Sequence, residues 1–199
     1  NLDRLRALLD REPRLVTARS LRRHRCTLLH YIGANDTEAA RQKSPRNAPA
    51  VAALLLARGA DPNALAMTYG GGPAQTTLYL AATSSFPEEA GIMVPLIEAL
   101  VAGGARVNDD DREQLHFTQP SALPALVAAG LTVDLWVAAT LGRADDVRRF
   151  VRGGGSLAPG AKVGSQASVP DQRVLDQALL AGCAAGHAEV VEILVDAGA

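Results

Sequence analysis

Val51–Ala64 reads VAALLLARGADPNA, an apolar helical stretch that ends at Gly59 and turns through Asp61-Pro62-Asn63. Edited copies recur as LIEALVAGGARVN at Leu96–Asn108, LPALVAAGLTVD at Leu123–Asp134, VRRFVRGGGSL at Val147–Leu157 and VVEILVDAGA at Val190–Ala199. Self-similarity at a spacing of roughly 20–50 residues marks stacked repeats, none of which buries its apolar face alone. In each copy a glycine follows the last apolar turn, where a left-handed residue caps a helix without steric penalty. Gly59 and Gly104 are therefore expected at positive φ, and Leu55 and Leu194, one helical turn upstream of such a cap, in the core. A second alanine-rich segment precedes four of the copies: TLLHYIG from Thr27, TTLYLAA from Thr76, VDLWVAA from Val133 and QALLAGC from Gln177. Two short antiparallel helices per unit follow.

These residues resemble the ankyrin repeat, whose pattern is Thr-Pro-Leu-His-x-Ala-Ala, a Gly-His turn, an aliphatic helix and Gly-Ala-Asp-x-Asn. Ala138–Arg143, AATLGR, and Gly182–His187, GCAAGH, follow its middle closely, and residues 109–131 follow it least. The resemblance implies an all-α, ankyrin-type helical repeat solenoid with a concave groove and extended loop fingers. It implies one domain of about five units: a cap over residues 1–25, then 26–64, 65–108, 109–134, 133–157 and 158–199. In the cap, Leu5, Leu8 and Leu9 share a helical face that stops at Pro13.

Of the 199 residues, 48% are hydrophobic but only 4% aromatic, so small aliphatic side chains must make the core. That composition suits thin stacked helices and disfavours a large aromatic-lined cavity. A net charge of −1 gives no whole-molecule field for nucleic acid or an anionic membrane. No apolar run reaches the roughly 20 residues of a membrane span, and no basic-then-apolar leader is seen. Cys26 and Cys183 each fall in an expected helix and read as buried free thiols, which fits a reducing cytoplasm. Arginine outnumbers lysine heavily beside abundant Ala and Gly, a usage that suggests GC-rich, bacterial coding. The chain starts without Met and stops inside a copy, so further residues are expected at both ends.

The departures from regularity are the better guide to function, because locally inconsistent segments tend to be functional or strained. Thr27 and Gly59 are 32 residues apart and Thr76 and Gly104 are 28 apart, with the excess in Asn35–Ala48 and in Ser84–Gly91, between the helices of each unit. Only 17 residues separate Glu113 from Gly130, which shortens the third unit. Leu65–Gln75 carries Tyr69-Gly70-Gly71-Gly72, and Ala158–Asp171 is a Gly/Ser/Pro connection that reads as a flexible finger. The glycine triplet lacks the Gly-Lys-Ser/Thr of a phosphate loop. Arg19, Arg22, Arg23, His24 and Arg25 form a charged run that either sits in solvent or binds phosphate; solvated loop is the preferred reading.

The histidine of the family motif falls on His30, with Tyr79, His116 and Trp136 at the corresponding places of later units and Leu180 in the last. In the family this histidine holds neighbouring turns, so a structural task for His30 stands beside a catalytic one; His187 corresponds to the turn histidine. The two insertions and the glycine finger are expected to gather Tyr31, Arg41, Lys43, Tyr69, Thr83, Ser84 and Phe86 around one section of the groove, with Arg46, Glu88 and Glu89 nearby. No set has metal-ligand spacing, and Asp109–Asp111 with Glu113 lacks the alternation of a calcium loop. No nucleophile or dinucleotide motif and no cofactor is indicated. The expected function is recognition of a protein partner or a small, anionic organic ligand, without nucleic acid or membrane. The alternative is a cofactor-independent enzyme using His30 and Tyr79 as acid and base with Arg41 or Lys43 stabilising an anion, in a dehydration, addition or isomerisation. A DNA-associated module is disfavoured by the charge and the missing base-reading motif.

Overall fold

Apolar runs closed by glycine form the helices that the copies predict. The computed structural model describes residues 1–33, 43–68, 74–107 and 118–199. Among them the fold is all-α in class, with ten α-helices and one two-stranded sheet. The helices are α1 Leu2–Arg11, α2 Ala48–Ala57, α3 Thr77–Thr83, α4 Ser85–Glu89, α5 Met93–Ala102, α6 Leu123–Ala128, α7 Leu135–Thr140, α8 Ala144–Phe150, α9 Asp171–Ala185 and α10 Ala188–Ala197. No helix among these residues is long and apolar enough to cross a membrane.

The caps have the expected chemistry. Gly59 and Gly104 lie at φ 92° and 93°. Behind Gly59, Ala60 N–H reaches Leu55 O (3.0 Å) and Gly59 N–H reaches Leu56 O (2.9 Å), the paired bonds that satisfy the last carbonyls of α2. Pro49 sits in the first turn of α2, where its missing N–H has no intrahelical partner to lose. Side-chain oxygens of Thr76 and Asp134 cap α3 and α7.

The chain forms two compact units, Asn1–Val107 with residues 118–129, and residues 130–199. In the first, α5 packs against α2, α3, α4 and α6, and Leu29, Leu55, Leu80, Leu96, Ile97 and Leu100 are buried. In the second, α7 packs on α9 and α8 on α10, enclosing Leu135, Val147, Ala161, Leu175 and Leu194. Asn63 ties consecutive copies: its Nδ2 donates to Gly104 O (3.0 Å) and its Oδ1 accepts from Arg106 N–H (2.9 Å).

Several expectations are corrected. The Thr27 segment is not an α-helix: only His30–Ile32 coil, as a 3-10 turn. The turn is followed by Gly33, where a Cβ would stand 2.7 Å from Thr77 O, so the backbone itself lies against α3. The fourth copy is no helix cap. Helix α8 stops at Phe150, and Val151–Arg152 pairs with Ser156–Leu157 as a hairpin, β1 and β2, with Gly154 in its turn. Leu8 is exposed while Leu9 is buried, because α1 meets a neighbour along a narrow stripe. Cys26 is buried but lies outside any helix, and Cys183 is exposed on α9.

The Gly/Ser/Pro connection is not a loose finger either. Ala161 is buried in the core of the second unit. Lys162 Nζ donates to Val169 O (3.0 Å) and to Asp171 Oδ1 (2.6 Å), while Asp171 Oδ2 accepts Leu157 N–H (2.9 Å). The Lys162 hydrogen bond, followed by that from Leu157, holds the Asp171 carboxyl below the usual range.

Candidate functional site

His30 is the best-connected residue of the anticipated site, and its connections are structural. Thr27 N–H donates to Nδ1 (3.1 Å), and Thr27 Oγ1 lies 2.8 Å from the same nitrogen. With Nδ1 accepting, the ring hydrogen is on Nε2 and is donated to Ala64 O at 3.0 Å. Burial lowers the pKa of His30 below its ordinary value, opposed by hydrogen bonding with the backbone at Ala64 and Gln75. The neutral ring thus pins the first inner turn to the Leu65–Gln75 segment.

The hydroxyls around it serve local backbone. Thr83 Oγ1 donates to Tyr79 O (3.0 Å), and Ser84, buried, accepts Phe86 N–H at the start of α4 (3.3 Å). Tyr79 is buried on α3 and Phe86 half-buried on α4, whereas Lys43 is exposed. The second insertion is therefore a short helix laid on α5, with Glu88 accepting from the Ser121 hydroxyl. Trp136 belongs to the second unit, where its carbonyl accepts from Thr140 Oγ1 (2.8 Å). Arg41, Tyr69, His116 and the Asp109–Asp111 run lie outside the described residues. Among those described, no group of three or more His, Cys, Asp or Glu is placed to hold a metal ion.

What the structure brings together instead is a pair of adjoining fingers. Ser20 N–H bonds Cys26 O (2.8 Å), closing a loop over residues 20–26. Ala66 and Gln75 pair antiparallel, the described residues 65–68 form the second finger, and Met67 N–H reaches across to His24 O (3.0 Å). Arg19 Nη1 donates to Arg25 O (3.1 Å) and to Leu65 O (2.7 Å), one carbonyl from each finger. The His24 ring stands edge-on to Tyr31, centroids 5.9 Å apart.

This surface is apolar and open. Leu21 is 95% exposed, Tyr31 58%, Leu65 52% and Met67 44%. Arginines 22, 23 and 25 share the first finger with Leu21, all exposed.

No family model matches the chain, and no curated protein or solved structure matches it.

Of the anticipated residues that are described, Tyr31 belongs to this surface. Leu21, His24, Leu65 and Met67 were not singled out as site residues, although a Leu inside the Arg19–Arg25 run was the available signal: an apolar residue in a highly charged loop has no core to enter. A separate depression of about 580 Å³ in the second unit is lined by Arg143, Asp146, Arg148 and Glu189 among others. Its charges are already matched, Arg148 with Glu189 and Asp145, and Arg143 and Arg149 with Asp146.

Proposed function

We propose that the chain is an ankyrin-type recognition module that docks a protein partner on the two fingers of its first unit. The observation that carries this reading is the pair Leu21 and Met67 with Tyr31, held open to solvent on fingers joined through Met67 N–H and His24 O. Aromatic, Met and Arg side chains are enriched at protein interfaces, and this surface is built from them. Singly scattered apolar residues need no explanation; exposed apolar residues carried on loops that are bonded to one another are the feature that this reading rests on. Small-molecule chemistry through His30 finds less support, because both ring nitrogens already have backbone partners. Two unpaired thiols suit a reducing compartment such as the cytoplasm.

A photo-crosslinker placed at position 21 tests the reading in the source cell. Replacing Tyr31 and Met67 together by Ser should abolish partner capture while leaving the melting temperature nearly unchanged. Serine at Leu8 and Val94, exposed apolar residues of α1 and α5, should leave capture intact. Turnover of a small molecule that is lost in Tyr79→Phe at unchanged stability would overturn the recognition reading in favour of catalysis.

A further inference from the structure

We infer that the finger surface selects an acidic, amphipathic peptide segment, a partner class that rests on the recognition reading above. The argument begins with charge. Residues 1–33 hold eight arginines against three carboxylates, although the whole chain is at −1. The carboxylates of this stretch sit on and beside α1: Asp10 pairs with Arg58, Glu12 with Arg14 and Asp3 with Arg6. Among the described residues, Arg22, Arg23 and Arg25 make no ion pair with a carboxylate. Among the described residues these three guanidinium groups thus lack a carboxylate partner, on the same loop as the open Leu21 and in the unit where Tyr31 and Met67 are also exposed.

The backbone supplies a second, independent observation. Arg25 is the one non-glycine residue at positive φ among those described, at 54°. A left-handed conformation costs an L-residue roughly 1–2 kcal/mol that glycine avoids. Strain kept at an exposed arginine points to a task for its side chain or for the loop shape it imposes. The Arg25 carbonyl receives Arg19, so the strained residue also sits at the junction of the two fingers.

Exposed apolar anchors on loops whose guanidinium groups have no carboxylate partner among the described residues match a segment that alternates carboxylates with large apolar side chains. Guanidinium forks take carboxylates bidentately, and the apolar residues lose water on contact. A nucleic acid would leave Leu21 and Met67 without partners. A lipid surface would receive Leu21 but has no use for two bonded fingers with a Tyr-His edge between them.

The experiment uses the whole chain and a displayed library of random peptides of roughly 12 residues, the length of a short groove-bound segment. Selected peptides should be net acidic with at least two large apolar residues. Synthetic versions should bind about tenfold more weakly to the R22E/R23E double variant, to Leu21→Ser, and to the parent at high salt. Arg25→Gly should raise the melting temperature while weakening the same peptides. Selection of neutral or basic peptides, or equal affinity for parent and R22E/R23E, overturns the inference. So does tighter binding to duplex DNA, or to phosphatidylcholine vesicles with about a quarter phosphatidylserine. If acidic peptides fail while position 21 still crosslinks a partner insensitive to R22E/R23E, only the partner class falls; if crosslinking fails as well, the recognition reading falls with it.

Discussion

The two units use the same kind of helix pair to different ends. In the second unit the pairs α7–α8 and α9–α10 are complete, and His187 Nε2 bonds Thr140 O (3.1 Å) between them. In the first unit the opening pair is reduced to a 3-10 turn beside α2, and His30 bonds outward to the finger at Ala64. The regular unit buries Leu135, Val147, Leu175 and Leu194 and exposes Leu180 and Val195 singly on its helices α9 and α10. The irregular one exposes Leu21, Leu65 and Met67 on its loops and Tyr31 on the 3-10 turn, where its ring meets His24. The difference teaches that departure from the repeat has moved exposed apolar residues from helix faces onto bonded loops.

Core truncation gives the largest effect and the sharpest test of that contrast. Leu55 and Leu194 are both buried, and either change to Ala should cost about 2–5 kcal/mol by denaturant unfolding. Leu194→Ala belongs nearer the top of that range, since complete helix pairs cannot collapse into the void as readily as a unit with a 3-10 turn. Equal costs would break the comparison.

Glycine substitutions come next. A Cβ at Gly142 would stand 2.7 Å from the His187 ring, at φ 68°, whereas at Gly59 nothing lies within 4 Å and only φ 92° opposes it. Gly59→Ala should cost about 1–2 kcal/mol from backbone strain alone. Gly142→Ala should cost visibly more in thermal melts, because His187 is held by Thr140 and cannot step aside.

The smallest effect is the pH dependence of His30. Its folded pKa is depressed from about 6.5, so the unfolded chain binds the proton first. Its contribution is fully present above that ordinary value and is lost as pH falls through it toward the lower folded value. The parent should lose more melting temperature than His30→Gln between neutral pH and about pH 5. Parallel curves would mean that the buried ring is not required to be neutral.

The helix–glycine copies were legible because their signal is local. Gly59, Gly104, Leu55 and Leu194 lie where spacing and capping chemistry place them. Segments whose structure depends on distant partners were not. The hairpin at Val151–Leu157 needs a strand partner that helical periodicity does not reveal, and Ala158–Asp171 is ordered by Lys162 and Asp171 despite a linker-like composition. For the site, the choice of His30, Tyr79 and Ser84 followed residue chemistry without burial, and all three are buried. The arginine run was read as solvated, which its exposure supports, but composition could not say that Met67 would be bonded to that run through His24.

For the docking proposed above, Arg19 bears on how fast a partner would be taken up. By donating to Arg25 O and Leu65 O it fastens two loops that would otherwise sample many arrangements independently. Much of the ordering entropy of the docking face is thus settled during folding rather than at encounter. Association then proceeds as the meeting of two shaped surfaces, steered by charge, and differences among partners are expressed in how long they stay rather than in how often they arrive.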